Sequence, residues 1–177
     1  MPSKLLFVRH AQGTHNVSDY TDPVNFDAEL TEVGHQQTKE NQITDTFDVI
    51  YCSPLRRCRS TLLGMNPNSE NIKVILDDRL MEQPCGINIC DKRIEKVDMI
   101  LSKEWDTSGV SEITPWDRND DADLEKIKSF TNDILSRHNN QTILIVSHSQ
   151  WISRWFKIYT DKVVYLDYCK SVWVNVE

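Results

Sequence analysis

The chain has 177 residues, 39% of them hydrophobic and 27% charged, a balance typical of a globular domain with a sizeable core. Its net charge of −7 argues against a general nucleic-acid or membrane-surface binder, and no apolar run is long enough to predict a transmembrane helix. Five cysteines without metal-type spacing predict free thiols, no bound metal and a reducing, cytoplasmic location.

Apolar runs alternate with segments of helical periodicity along the whole sequence. The predicted strands cover residues 4–8, 47–53, 72–78, 141–148 and 171–176. The predicted helices cover residues 30–46, 54–65, 122–138 and 149–160. Thr31 is the expected N-cap of the first helix, and Ser53, before a proline, that of the second. Because the strands lack polar alternation, we expect an α/β fold: a three-layer α/β/α sandwich with a mostly parallel central sheet.

One region departs from this alternation. We interpret residues 1–177 as a single domain whose residues 82–121 form a polar, irregular excursion that faces the substrate. Lys92 and Arg93 could line the mouth of a pocket there or could form a solvated charge pair. Trp105 and Trp116 could wall the pocket, although ordinary packing of a long loop is the favoured interpretation.

Charged and polar groups follow directly on the predicted strands. Arg9 and His10 end the first strand, Arg57 lies just inside the helix after the second, and His148 ends the fourth. Ligands of open parallel sheets bind at the carboxyl ends of the strands, which share one edge. The sequence therefore predicts that these four side chains converge.

Such a cluster suits a phosphoryl dianion. Arginine gives fixed, bidentate donors to phosphate oxygens. One histidine could attack phosphorus, while the other stays cationic and neutralises developing charge. Glu82, just after the third strand, could protonate the leaving oxygen, because repulsion by the phosphate should raise its pKa. Each residue alone has an ordinary structural explanation, and the shared position at strand ends favours chemistry.

Three short motifs carry a resemblance to a known family. Arg9-His10-Ala11, the stretch "SPLRRCRST" at 53–61 and "VSH" at 146–148 resemble the motifs of the histidine phosphatase superfamily, which includes the cofactor-dependent phosphoglycerate mutases. "RHAQGTHN", "FDAELTEVGHQQ" and "CDKR" resemble the phosphoglycerate-mutase-like proteins of plants and fungi. The resemblance implies a phosphoglycerate mutase-like fold and no cofactor.

The resemblance also implies roles for individual residues. His10 is the expected nucleophile, and Glu82 matches the proton donor. Arg9, Asn16, Arg57 and His148 are implied to bind the phosphate. Ala11 and Ser149 stand where the family usually has glycine, and these departures bear on the substrate that the pocket accepts rather than on the reaction.

The leading hypothesis is a metal-independent phosphatase that hydrolyses a small phosphate monoester through a phosphohistidine on His10. A phosphoglycerate-type phosphomutase is the alternative among enzymes, and a non-catalytic phospho-ligand binding protein is the alternative of another class. Nucleic acid and membranes are not expected partners, and the sequence does not reveal the substrate or the oligomeric state.

Overall fold

Strands and helices alternate along the chain, as the apolar periodicity predicts. The computed structural model describes residues 3–67, 72–83, 88–93, 96, 105–112 and 120–176. The strands are β1 (Ser3–Arg9), β2 (Val49–Cys52), β3 (Lys73–Asp77), β4 (Asp106–Gly109), β5 (Thr142–Ser147) and β6 (Ser171–Val176). The main helices are α1 (Glu32–Glu40), α2 (Arg56–Met65), α3 (Asp120–Arg137) and α4 (Ser149–Thr160). The five predicted strands lie within two residues of their expected bounds. Trp116 and Cys85 lie outside the described residues.

The strands form one six-stranded sheet in the order β4-β3-β2-β5-β1-β6. Pairing is parallel throughout except for β6, which runs antiparallel to β1 at the edge. The mostly parallel sheet expected from the sequence is thereby confirmed. In the register of β1 against β5, Arg9 lies opposite Ser147, and in that of β2 against β5, Cys52 lies opposite Val146. Three neighbouring strands therefore end at the same level.

Both faces of the sheet are buried, which explains why its central strands are continuously apolar. In β1, Leu6 and Val8 belong to one apolar cluster, whereas Leu5 and Phe7 belong to the other. Successive side chains of a strand point to opposite faces, so one strand supplies both cores. The first cluster includes α2 residues and the second includes residues of α3 and α4. This arrangement confirms the three layers. None of the helices in the described part of the chain has the length and apolarity that crossing a membrane requires.

Helix α1 begins as predicted and ends early. The Thr31 hydroxyl accepts a hydrogen bond from the Gly34 N–H at 3.0 Å, so Thr31 is its N-cap. A Cβ on Gly34 would lie 2.2 Å from the carbonyl oxygen of Gln12, so the helix packs closely on the loop after β1. The helix ends at Glu40 rather than at residue 46. Ile43 leaves the helix because it is buried in the core and donates its N–H to the Met65 carbonyl.

The prediction for the start of α2 is wrong by two residues. Leu55, not Ser53, occupies the N-cap position, and Arg56 is the first helical residue. The Ser53 hydroxyl instead lies 2.9 Å from the imidazole Nε2 of His148. A serine before a proline is a good helix start in isolation, but here the residue faces a buried histidine.

The described residues of the excursion at 82–121 include two regular elements. The excursion contributes the edge strand β4, whose four residues read Asp-Thr-Ser-Gly and lack the apolar signal of a strand. It also forms a short 3-10 helix, Ile89–Asp91. Arg93 is buried and donates to the carboxylate of Asp78 and to Ser111, so both alternatives, a residue at a pocket mouth and a solvated charge pair, are wrong for Arg93. Trp105 packs partly buried against the core, which confirms the packing interpretation.

Candidate active site

The ends of β1, β2 and β5 bring three polar side chains together. The backbone N–H of His10 donates to the Ser147 carbonyl at 3.0 Å, and that of Ser53 donates to the Val146 carbonyl at 2.9 Å. These bonds continue the sheet by one residue past each strand. The rings of His10 and His148 lie 5.1 Å apart between centroids, and both residues are almost completely buried. The structure thus brings the two predicted histidines together.

The protonation of His10 is set by its surroundings. Its Nδ1 lies 2.7 Å from the carbonyl oxygen of Ala11. Because a carbonyl only accepts hydrogen bonds, Nδ1 carries the proton and the lone pair lies on Nε2. Burial, and next the positive charge of Arg57, hold the pKa of His10 well below its usual value. His10 is therefore a neutral imidazole with a fixed tautomer, the form that attacks phosphorus.

The charge of His148 depends on its buried surroundings. Its Nε2 lies 2.9 Å from the Ser53 hydroxyl and 3.4 Å from the Cys58 thiol. Burial, followed by the charge of Arg57 and by His10, lowers its pKa well below the usual value. His148 is therefore neutral in the protein by itself, and its cationic role toward a bound phosphoryl group stays a prediction. Without a bound phosphate, the positive charge of the site is carried by its arginine side chains rather than by histidine.

Arg57 is 1% exposed and is held by a different part of the chain. Its Nη1 donates to the Cys90 carbonyl at 2.6 Å, and its Nη2 donates to the Asp91 carboxylate at 2.8 Å. Its buried Nε has no hydrogen-bond partner among the described residues. Arg57, a predicted phosphate-binding residue, thus uses one N–H group of each terminal nitrogen, and its Nε–H remains unpaired among the described residues.

Arg9 is held from the opposite side by the segment before β6. Its Nη1 donates to the Leu166 carbonyl at 2.8 Å, and its guanidinium carbon lies 4.0 Å from the centroid of the Tyr168 ring. Its Nε is buried and, within the described part of the chain, unpartnered. The ring of Tyr168 is also 6.4 Å from that of His10. Tyr168 was not predicted from the sequence, because no short-range pattern connects a tyrosine at position 168 with the first strand.

Asn16 occupies an exposed position in the loop after β1. Its Oδ1 accepts from the Gly13 N–H at 2.9 Å, which fixes the orientation of the amide. Its Nδ2 then donates to Nε2 of His15 at 3.1 Å. One amide hydrogen remains available, so the predicted contact to phosphate requires no rearrangement of these bonds.

His15 is a further site residue that sequence reasoning missed. Its ring lies 5.8 Å from that of His10, and it lines the pocket described below. Burial, then the charges of Arg57 and Arg9, lower its pKa to about 3. It is therefore neutral near pH 7. The sequence signal that could have identified His15 is its position in the loop after β1, five residues after His10.

Glu82 reaches the site from the segment after β3, as the sequence predicts. Its Oε1 accepts from the backbone N–H groups of Gln83 at 2.9 Å and of Trp151, in the first turn of α4, at 3.3 Å. Burial raises its pKa to about 7, against the opposing effect of these N–H groups and of Arg57. A carboxyl that titrates near neutral pH is suited to general acid catalysis.

A cavity of about 350 Å³ opens beside Glu82, Arg57 and His15. Its lining is polar and mixed in charge: His15, Asn16, Tyr20, Arg57, Glu82, Gln83, Asn88, Cys90, Asp91 and Gln150. The cavity places the candidate acid and one arginine on the same walls. A volume of this size accommodates a small organic phosphate.

Fold and site together define a class: a mostly parallel α/β protein with a neutral, buried histidine among arginines at the strand ends. The comparison with families makes this specific. Residues 5–161 match the histidine phosphatase superfamily (branch 1), and the chain belongs to that superfamily. It is a histidine-type phosphatase by family.

Individual relatives agree with this assignment. The chain is 29% identical over 153 residues to phosphoserine phosphatase 1 of Hydrogenobacter thermophilus, covering 82% of this chain and 71% of that one. The structure resembles YhfR of Bacillus stearothermophilus with a TM-score of 0.66 at 18% identity, covering 99% and 92% of the two chains. It resembles the phosphoserine phosphatase of Entamoeba histolytica, solved with 3-phosphoglyceric acid, with a TM-score of 0.63 at 24% identity over 97% and 89%. These structures establish the shared phosphoglycerate mutase-like fold.

Proposed function

We propose that this chain hydrolyses small phosphate monoesters through a phosphohistidine formed on His10. The observation that carries the proposal is the state of His10 itself: buried, neutral, and with its proton held on Nδ1 by the Ala11 carbonyl. A nucleophile of this kind needs no base to activate it. Arg9 and Arg57, on either side, supply the charge that a phosphoryl dianion requires.

In the first half of the reaction, Nε2 of His10 attacks phosphorus. The P–N bond forms while the bond from phosphorus to the alcohol oxygen breaks. Glu82, in its acid form, gives its proton to the leaving alcohol, so the products are an alcohol, a carboxylate and a phosphohistidine. The Nδ1 proton stays on the ring, where the Ala11 carbonyl stabilises the positive charge that develops.

In the second half, water replaces the alcohol. The Glu82 carboxylate takes a proton from the water as its oxygen attacks phosphorus, and the P–N bond breaks with its electrons returning to Nε2. Inorganic phosphate leaves, and both His10 and Glu82 regain their starting forms. Arg9, Asn16, Arg57 and His148 bind the phosphoryl oxygens throughout, and we propose no metal and no cofactor.

The substrate we propose is a small phosphorylated metabolite of the size of phosphoserine. Two relatives are phosphoserine phosphatases, and the cavity of about 350 Å³ accommodates a molecule of that size. Within the superfamily, we place the chain with the plant and fungal proteins that carry Arg-His-Ala-Gln-Gly, on the strength of that motif and of "CDKR". The cytoplasmic location stays a prediction.

The test compares three proteins with a panel of phosphate esters and a readout of inorganic phosphate. Wild type is expected to release phosphate, and His10→Ala is expected to lose essentially all of it. His35→Ala, which removes an exposed histidine of α1, is the matched control and should behave as wild type. Equally slow release of phosphate by wild type and the His10 variant would overturn the proposal and favour the non-catalytic binder, and equally fast release would overturn the role of His10.

The covalent intermediate gives a second test. Wild type quenched during turnover of a ³²P-labelled ester should carry a label that survives alkali and is lost in acid, because the P–N bond is acid-labile. A label that survives acid would indicate a serine or threonine ester and would contradict the role of His10. Isomer exchange of a phosphoglycerate without net release of phosphate would instead support the mutase.

A further inference from the structure

The segment at residues 88–93, which we name the arginine clamp, contains the "CDKR" motif that the reaction above does not use. Its 3-10 helix carries Cys90 and Asp91 to the buried guanidinium of Arg57. The Cys90 carbonyl and the Asp91 carboxylate accept hydrogen bonds from the two terminal nitrogens of Arg57 at 2.6 and 2.8 Å. The arginine clamp therefore fixes the guanidinium plane through two separate bonds.

Asp91 is itself buried, with 3% of its surface exposed. The amide of Asn88 lies 3.4 Å from its second carboxylate oxygen. The carboxylate and guanidinium form an ion pair with both partners almost fully buried. Removing one partner of such a pair leaves an uncompensated charge in a poorly solvated place, which is strongly unfavourable. The Nε–H group of Arg57 is buried and has no partner among the described residues.

The same carboxylate lies close enough to Glu82 to influence it. Asp91 and Glu82 line one cavity, and the negative charge of Asp91 adds to burial in raising the pKa of Glu82. Arg57, from α2, acts in the opposite direction, and the charge of Glu82 in turn contributes to raising the pKa of the Cys58 thiol on the same helix. From α4, the Trp151 backbone N–H opposes the rise.

We propose that Asp91 is a positioning residue for the phosphatase reaction, acting through Arg57 on the phosphoryl group and through its charge on Glu82. The inference rests on the proposed function and goes beyond it, because it assigns to one carboxylate an influence on both the phosphate-binding arginine and the acid. It orients the donor that binds the phosphate, and it keeps the acid in the form that protonates the leaving group.

The experiment compares Asp91→Asn with Asp78→Asn. The amide keeps the shape of Asp91 and removes its charge. Asp78 anchors the same clamp through Arg93, but it does not contact Arg57, so it reports the purely structural effect of loosening this segment. Loss of a charge-assisted bond in the Asp91 variant should lower kcat/KM by about 10- to 100-fold.

The decisive readout is pH dependence. In Asp91→Asn, the midpoint of the alkaline fall in kcat/KM should move to lower pH, because Glu82 loses its proton more easily. In Asp78→Asn it should stay at the wild-type position. Asp91→Glu keeps the charge and should also keep the wild-type midpoint, even where its rate is lower. An unmoved midpoint in the asparagine variant, or an equal movement in both asparagine variants, overturns the inference.

A readout independent of activity separates this inference from the proposed function. The Glu82 carboxyl is titrated by ¹³C NMR in glutamate-labelled protein, with Glu82→Gln for assignment. Its pKa should fall in Asp91→Asn and hold in Asp91→Glu. If wild type releases no phosphate while the NMR shift appears, the proposed function fails and the electrostatic link stands. If phosphate release depends on His10 and the shift is absent, only the role of Asp91 fails.

Discussion

Glu82 should make the protein less stable as pH rises, and Glu82→Gln should remove that cost. The folded protein raises the pKa of this carboxyl from 4.5 to about 7, chiefly by burial. Between these values, the folded protein holds a proton that the unfolded chain has lost. The folded state binds more protons there, so the free energy of unfolding falls as pH rises through this window.

The magnitude follows from the size of the shift. A difference of about 2.5 pKa units at 1.36 kcal/mol each gives about 3 kcal/mol. Glutamine has nearly the same shape and does not titrate. The free energy of unfolding of Glu82→Gln minus that of wild type should therefore be constant below about pH 4, rise by about 3 kcal/mol, and level off above about pH 8.

The assay is urea unfolding followed by tryptophan fluorescence, at intervals from acid to mildly alkaline pH. Taking the difference between two proteins cancels the titration of the groups that do not interact with Glu82. Glu40→Gln, at the exposed end of α1, controls for the exchange of glutamate for glutamine itself. A difference curve for Glu82→Gln that stays level across the whole range would refute the reasoning. The stabilised variant should also lose about 10²- to 10⁴-fold in rate, as expected for removal of a general acid.

Two further predictions concern packing around the site. Gly34→Ala should lower the free energy of unfolding by about 1–3 kcal/mol, because the added Cβ would lie 2.2 Å from the backbone oxygen of Gln12. Urea titrations measure this change, and an unchanged unfolding midpoint would show that the loop after β1 moves away at no cost. Tyr168→Leu should raise KM for a phosphate ester several-fold, because it removes the ring whose centroid lies 4.0 Å from the guanidinium carbon of Arg9. Tyr168→Phe keeps the aromatic face and should therefore keep the wild-type KM. Equal KM values in the leucine and phenylalanine variants would contradict a role of the ring face.

The convergence of His10 and His148 was predictable because it depends on strand direction alone. Parallel strands that are apolar throughout must end at one edge, and the residue after each end must lie there. The sequence was also sufficient for the Thr31 cap, because capping depends on neighbours within three residues. Local patterns failed for Ser53, whose hydroxyl suits a helix start and a contact to histidine equally well.

Residues that act across long sequence separations were beyond prediction. Asp91 meets an arginine 34 positions away, and Tyr168 meets Arg9 from the far end of the chain. No periodicity links such positions, because the contacts follow from the path of loops rather than from the sheet. The neutral state of His148 escaped for the same reason. Its pKa depends on burial and on Arg57 together, and a sequence reveals neither quantity.

The charge of His148 connects these observations. Burial, and next the charge of Arg57, lower the pKa of both His10 and His148, and these effects keep the proposed nucleophile His10 uncharged. A phosphoryl dianion bound between the arginines opposes their field, so its arrival should raise the pKa of His148. The cationic role expected from the sequence then belongs to the complex rather than to the protein alone. The same site would thus present a neutral nucleophile before binding and gain a stabilising cation only when the phosphoryl group is in place, which is the order that the transfer requires.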